Sequence, residues 1–173
     1  MAAEAAPRRP ERGARLRAAV STIFWAVVVF SALHAAIRLF RVQGISMLPA
    51  YRSGDLLVVL RRPLWSGQPR PGQVVVLHPP IPSRVEFVKR VVATGGEVVA
   101  MQQGRVYVNG RPLTPAYCRA CGRASFAPYR VPAGSVFVLG DNRPVSEDSR
   151  FFGPVPDGAV SGLVIARLPL PQF

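Results

Sequence analysis

Lysine is almost absent from this chain: among its 22 lysine and arginine residues, only Lys89 is a lysine. The distinction matters because a guanidinium stays protonated at any workable pH, whereas a buried amine can lose its proton. The chain therefore contains a single side-chain amine that could act as a base. The alternative is an arginine-favouring composition that left one lysine by chance. The surroundings of Lys89 have to decide between the two.

Histidine and cysteine are also scarce, with two of each: His34 and His78, and Cys118 and Cys121. They cannot supply the four ligands of a structural zinc ion, because His34 lies inside the longest apolar run and His78 lies far from the cysteines in the chain. We therefore expect neither a metal site nor a cofactor. The cysteines can form a small disulfide loop or a CxxC redox pair. An oxidising compartment favours the structural disulfide.

Acidic residues are few, at 9 against 22 basic ones, for a net charge of +13. Such a charge predicts binding either to nucleic acid or to an anionic membrane surface. The basic residues form no aromatic-interleaved stripe and no zinc-finger spacing, which argues against nucleic acid. Five arginines instead precede the longest apolar run. They are Arg8, Arg9, Arg12, Arg15 and Arg17.

That run, residues 18–37, contains no formal charge and is long enough for a helix to span a bilayer. A cleaved secretory signal is the alternative, but the run is longer than a usual signal core, which favours an uncleaved anchor. The arginines predict a cytoplasmic N-terminus, with Arg38 and Arg41 at the far interface. The expected organisation is a tail at 1–17, a transmembrane anchor at 18–41 and an extracytoplasmic domain at 42–173.

Beyond the anchor the pattern changes to short apolar runs separated by turns, with no helical period. Asn109-Gly110 is a strong signal for a hairpin turn. The sequence therefore predicts a mostly β protein, in which an all-β catalytic domain follows one helix. Residues 97–135 would form a smaller accessory region, irregular between 112 and 132. The predicted strands are 56–60, 74–77, 85–92, 97–101, 105–108, 135–139 and 160–167.

Lys89 lies in the predicted strand 85–92, where alternate residues share a face. Its face would carry Val85, Phe87 and Val91, which would desolvate the amine and lower its pKa. Glu86 and Arg90 would point to the other face and pair with each other. The alternative is a surface lysine that protects a strand edge.

Two further segments are rich in polar groups that could serve a lysine base. Ser46 lies between Gly44 and Pro49, so a sharp turn would expose its hydroxyl, although such a serine is usually a local hydrogen-bonding group. Residues 140–150 form a polar segment after a β run. This segment is either a solvated loop held by Asp–Arg pairs or a source of groups that orient the amine.

Together these segments resemble the bacterial-type signal peptidase I family, serine proteases with a Ser-Lys dyad. The resemblance covers most of residues 42–167, and its specificity lies in the order of the motifs. The matching motifs are Ser46-Met47-x-Pro49, Gly54-Asp55, Lys89-Arg90-Val91-Val92, Val106-Tyr107-Val108-Asn109-Gly110, Gly140-Asp141-Asn142, Ser146-x-Asp148-Ser149-Arg150 and Phe152-Gly153-Pro154-Val155.

The resemblance implies a role for each matching polar residue. Ser46 would be the nucleophile and Lys89 the general base that later protonates the leaving group. Ser146 would hydrogen-bond to the lysine amine and orient it. Asp148 and Arg150 would form a supporting ion pair. Asp141 would lie nearby.

The resemblance also implies an oxyanion site and a substrate pocket. The backbone N–H of Ser46 would donate to the oxyanion. Gly44 stands where some family members carry a second, hydroxyl donor, so that donor would come from backbone or water. Met47, Phe87 and Val88 match positions that line the pocket for the small residue before the scissile bond.

The implied activity is removal of signal peptides from secretory preproteins by cleavage after a small-x-small pattern such as Ala-x-Ala. The other expected partner is the lipid bilayer of a cell's inner membrane, and we expect a monomer. Three alternatives stay open to different degrees. An organellar inner-membrane or thylakoid peptidase would use the same chemistry. A self-cleaving repressor is disfavoured by the anchor, and an inactive membrane-tethered binding or scaffold protein by the intact set of polar residues.

Overall fold

The computed structural model describes residues 12–62, 65, 67–114, 117–118 and 121–168. The chain divides into two compact units, the first ending at Ala35 and the second beginning at Ala36. Most of the tail predicted at residues 1–17 lies outside the described residues. The part that is described, from Arg12 onward, is already helical.

The described part of the N-terminal unit is one long helix, α1, with bounds Arg12–Ala36. An 18-residue window within Gly13–Ala36 has a mean hydropathy of 1.9 and contains no buried residue, so the helix is long and apolar enough to cross a membrane. Thr22 satisfies its hydroxyl within the helix by donating to the Ala18 carbonyl at 2.9 Å.

The anchor was predicted to extend to residue 41, and this boundary is wrong as a statement about the helix. Residues Ile37–Arg41 form a β-strand whose partner is Leu56–Arg61. The sequence pattern is misleading here because Ile37, Leu39 and Phe40 continue the apolar run. What ends the helix is a pairing partner located some twenty residues downstream.

The described part of the second unit contains two antiparallel sheets and one short helix. Its strands are β1 Ile37–Arg41, β2 Leu56–Arg61, β3 Val74–Leu77, β4 Phe87–Thr94, β5 Val98–Gln102, β6 Arg105–Val108, β7 Arg111–Pro112, β8 Phe126–Arg130, β9 Ser135–Leu139, β10 Val155–Pro156 and β11 Val160–Leu168, with helix α2 at Ser149–Phe152. The larger sheet has the order β1-β2-β11-β3-β4-β9-β10, and the smaller has β7-β6-β5-β8.

The mostly β fold class is confirmed, and each predicted strand has a counterpart within two residues at its ends. The hairpin turn at Asn109-Gly110 is also present, with φ of +51° and +76°. Besides β1, the missed elements are β7, β8, β10 and α2. Strand β8 lies inside the stretch predicted to be irregular, and α2 is a single helical turn, too short to produce a periodic pattern.

Strand β4 carries Lys89 and Arg90 and lies between β3 and β9 in the larger sheet. Both of its faces are covered, since Val88 belongs to one hydrophobic cluster, Val91 to another and Val92 to a third. A register shift between Val91 and Ala93 lets consecutive residues be buried. A polar side chain on this strand is therefore held in low-dielectric surroundings.

Candidate active site

Lys89 is the buried polar residue at the middle of β4, directly opposite Val75 of β3. It is 3% exposed, and its Nζ lies 5.1 Å from the centre of the Phe87 ring. Burial lowers the pKa of its amine to about 8, although the nearby carboxylates of Asp148 and Glu147 act in the opposite direction. The uncharged amine is thus far more populated near neutral pH than in an ordinary lysine.

Two details of the predicted strand face are wrong. Val85 is 60% exposed and precedes the strand, so residues other than Val85 bury the Lys89 side chain. Glu86 and Arg90 do not pair, because residues four apart along a strand are separated by about 13 Å. Instead, Glu86 pairs with Arg38 of β1 at 2.9 Å.

Ser46 lies in the loop after β1, and the structure brings it to the lysine. The Lys89 amine donates to Ser46 Oγ at a distance of 3.0 Å, joining residues 43 positions apart in the chain. The loop is held from the other side by Asn142, whose backbone N–H donates to the Ser46 carbonyl at 2.9 Å and whose side-chain amide donates to the Ile45 carbonyl at 3.1 Å. Sequence reasoning assigned no role to Asn142, although it lies within the quoted Gly-Asp-Asn motif.

The absence of a side chain at Gly140 lets the loop of Ser46 and the side chain of Ser146 both pack against this residue. A Cβ at this position would overlap the Ser146 side chain and lie 2.6 Å from the Ser46 carbonyl oxygen. Ser146 is 2% exposed, and within the described part of the chain its Oγ has no hydrogen-bond partner. The contact predicted between Ser146 and the lysine amine is therefore not formed in this structure, although Ser146 lies beside the loop of Ser46.

Asp148 organises the segment that carries Ser146. Its carboxylate is 0% exposed and accepts from the Gly140 backbone N–H at 3.0 Å. Arg150 donates to the same carboxylate through Nε at 2.8 Å and through its terminal nitrogen at 2.9 Å. The same guanidinium also donates to the carbonyls of Arg143 and Ser146. This buried pair ties the loop ahead of α2 to the end of β9.

Asp141 forms the second ion pair of the site. Arg90 donates to its two carboxylate oxygens at 2.8 and 2.6 Å, a bidentate geometry that fixes direction as well as distance. Asp141 precedes Asn142 in the chain, so this pair sets the position of the residue that holds the Ser46 carbonyl.

The dyad opens into a cleft of about 620 Å³. Its lining includes Gly44, Phe87 and Val88, together with the charged residues Arg41, Arg84, Glu86 and Glu147. Met47, predicted to line the substrate pocket, is 1% exposed and packs in the core with Val42 and Val88. The backbone N–H of Gly44 donates to Ser53 Oγ at 3.4 Å.

The cysteines are remote from this cleft in sequence and are bonded to each other, with Cα atoms 5.3 Å apart. Within the described residues, no group of three or more histidine, cysteine, aspartate or glutamate side chains could hold a metal ion.

An antiparallel β domain that presents a serine hydroxyl to a buried lysine amine at the base of an open cleft has the fold and site of a serine peptidase. The chain belongs to the signal peptidase, peptidase S26 family, whose model matches residues 15–168.

Curated relatives and a solved structure agree with this assignment. The chain is 35% identical over 173 residues to a signal peptidase I of Leptolyngbya laminosa, an alignment covering 95% of this chain and 85% of the relative. It is 34% identical to a signal peptidase I of Bacillus caldolyticus, covering 86% and 92%. A crystal structure of a signal peptidase I from Enterococcus faecalis superimposes with a TM-score of 0.52 at 28% identity, covering 58% of this chain and all of the other.

Proposed function

We propose that this protein is an endopeptidase that removes signal peptides from secretory preproteins by cleaving after a small-x-small sequence, with Ser46 as nucleophile and Lys89 as general base. The observation that carries the proposal is the 3.0 Å separation between Lys89 Nζ and Ser46 Oγ around an amine that is 3% exposed. Family membership makes the signal peptide the natural substrate.

The reaction follows from that geometry. The uncharged amine accepts the Ser46 proton as Oγ attacks the carbonyl carbon of the scissile bond, forming a C–O bond and a tetrahedral oxyanion. The ammonium then donates its proton to the departing amine nitrogen as the C–N bond breaks. Water, deprotonated by the same amine, hydrolyses the acyl ester and regenerates Ser46. The Ser46 backbone N–H is the proposed donor to the oxyanion.

We propose that α1 anchors the protein in a membrane, with the N-terminus in the cytoplasm and the β domain outside the cytoplasm. The arginines ahead of the apolar run support this orientation, because positive residues remain on the cytoplasmic side. The Cys118–Cys121 bond supports it independently, because disulfides persist in oxidising compartments. We further propose a monomer in the inner membrane, with Phe87 and Val88 contacting the small substrate residues.

The proposed function is tested by incubating the full chain in detergent with a peptide containing Ala-x-Ala. We expect cleavage after the second alanine and a loss of at least about a thousandfold in Ser46→Ala, because the nucleophile is removed. Ser125→Ala, at a serine outside the cleft, is the matched control and should cleave normally. Binding of preproteins without cleavage by the unmodified chain would instead support a scaffold.

The pH dependence follows from the lowered pKa of Lys89, about 8. The base must be uncharged, so kcat/KM should rise with pH and level off above about 8, falling roughly tenfold per pH unit below it. The test is to measure kcat/KM between pH 6 and 10 while monitoring folding at each pH. A profile that is flat between pH 6 and 9 would rule out Lys89 as the titrating base.

A further inference from the structure

Tyr117 makes a set of contacts beside the active site that the proposed mechanism does not use. Its ring covers the guanidinium of Arg90, with the ring centre 4.3 Å from the central carbon. Its hydroxyl lies against Gly72, where a Cβ would approach to 2.7 Å. The Gly72 carbonyl in turn accepts from Arg90 at 2.8 Å. Tyr117 thus contacts both the arginine and the backbone that holds it.

Arg90 connects this ring to the nucleophile. Its side chain is 13% exposed and its bidentate partner Asp141 is 3% exposed, so the pair lies in low-dielectric surroundings where its attraction is strong. The residue after Asp141 is Asn142, which donates to the Ser46 carbonyl. A change at Tyr117 can therefore reach Ser46 through a continuous series of contacts. None of these contacts includes Lys89.

A disulfide bond follows Tyr117 directly in the chain. Cys118 follows Tyr117 and is bonded to Cys121. The turn at Gly104, between β5 and β6, packs closely on the carbonyls of Cys121 and Gly122, and a Cβ at Gly104 would overlap them. The Gly104 backbone N–H also donates to the Ala124 carbonyl at 2.8 Å. The loop is thereby fixed to the smaller sheet.

We propose that Tyr117 is a positioning residue for peptide cleavage, which acts through Arg90 and Asp141 on the loop of Ser46, and that the Cys118–Cys121 bond holds its ring in place. The inference rests on the proposed Ser46–Lys89 chemistry. The ring excludes water from one side of the Arg90–Asp141 pair, and a guanidinium stacked on an aromatic face gains further attraction. Without the ring, water screens the pair and the Ser46 loop is held less firmly.

The first experiment compares Tyr117→Ala, Tyr117→Phe and the unmodified chain on the Ala-x-Ala peptide. We expect kcat to fall about fivefold in Tyr117→Ala, with KM changed by less than about twofold, since the effect acts on the attacking group. Tyr117→Phe keeps the ring and should recover most of kcat. Tyr107→Ala, at a tyrosine in strand β6, is the matched control. Equal kcat in Tyr117→Ala and the unmodified chain would overturn the proposal.

The second experiment tests the disulfide. Cys118 and Cys121 are the only cysteines in the chain, so a reductant has one target. Reduction should lower kcat by about the same factor as Tyr117→Ala and should leave both Tyr117→Ala and the Cys118→Ser/Cys121→Ser double variant unaffected. Unchanged kcat after complete reduction would show that the bond does not hold the ring.

A third measurement does not depend on cleavage. Hydrogen exchange of the Asn142 amide should be faster in Tyr117→Ala than in Tyr107→Ala, because its bond to the Ser46 carbonyl is held less firmly. Identical exchange rates would overturn the positioning role even if no peptide were cleaved. Conversely, if Ser46→Ala cleaves as well as the unmodified chain while the exchange rates differ as expected, the proposed function fails and the coupling stands.

Discussion

Replacing Lys89 with arginine is expected to lower kcat/KM for the Ala-x-Ala peptide by about 10²- to 10⁴-fold, the usual contribution of a general acid–base group. Arginine retains the positive charge and the hydrogen-bond donors but cannot release its proton at any workable pH. The substitution therefore separates a base from a cation that merely stabilises charge. Cleavage is measured with the same peptide at pH 9, where the unmodified amine is largely uncharged.

Lys89→Met is the companion variant, since it has similar length and no charge. It should be equally inactive yet folded. The folded pKa of about 8 lies below the ordinary value of 10.5, so the unfolded chain binds more protons between these values. The buried amine consequently destabilises the fold increasingly as pH falls from 10.5 to about 8, and fully below that, so Lys89→Met should unfold no more easily than the unmodified chain at pH 7. Normal cleavage by Lys89→Arg would exclude the assigned base.

Replacing Asp148 with alanine is expected to destabilise the second unit by about 3–5 kcal/mol, the usual cost of removing one partner from a buried ion pair. The Arg150 guanidinium, whose side chain is 11% exposed, would lose its carboxylate, and the Gly140 N–H would lose its acceptor. Urea denaturation followed by tryptophan fluorescence measures the change. Asp148→Asn is the milder variant, because an amide oxygen can still accept from Gly140.

Arg167→Ala is the matched control for the Asp148 prediction. Its pair with Asp55, at 2.8 Å, is a more exposed ion pair, with the arginine side chain 33% exposed. The Asp55 side chain is 7% exposed but keeps the Arg52 backbone N–H as a donor, so removing the more exposed Arg167 should cost about 1–2 kcal/mol, less than Asp148→Ala. Similar losses in Arg167→Ala and Asp148→Ala would show that burial of the Asp148 carboxylate does not govern the stability of this region.

Much of the fold could be predicted because its signals are local. Turn residues such as Asn109-Gly110 mark the ends of short strands, and apolar runs such as 74–77 form their interiors. The missed elements depend on partners far away in the chain. Strand β1 exists because β2 is available to pair with it, and β8 because β5 is. A continuous apolar run cannot reveal where a helix gives way to a strand.

The site shows the same division between local and distant information. Ordered motifs predicted that Ser46 and Lys89 act together, and a lysine in a chain of arginines indicated the proposed base. The predicted pair of Asp148 and Arg150 is present. Glu86, by contrast, bonds to Arg38 rather than to Arg90 as predicted. Tyr117 carries no motif, and its position over Arg90 is visible only in three dimensions.

The amino-acid sequence by itself determined which chemical groups this protein can use: one amine that can lose its proton, a serine in a turn, and a helix able to cross a membrane. Only the tertiary structure decided that the amine lies 3.0 Å from the hydroxyl and that its pKa is lowered to about 8. The physical reason is that both quantities depend on neighbours from separate parts of the chain. Val75, Phe87 and Asn142 exclude water or fix the loop only once the strands have paired.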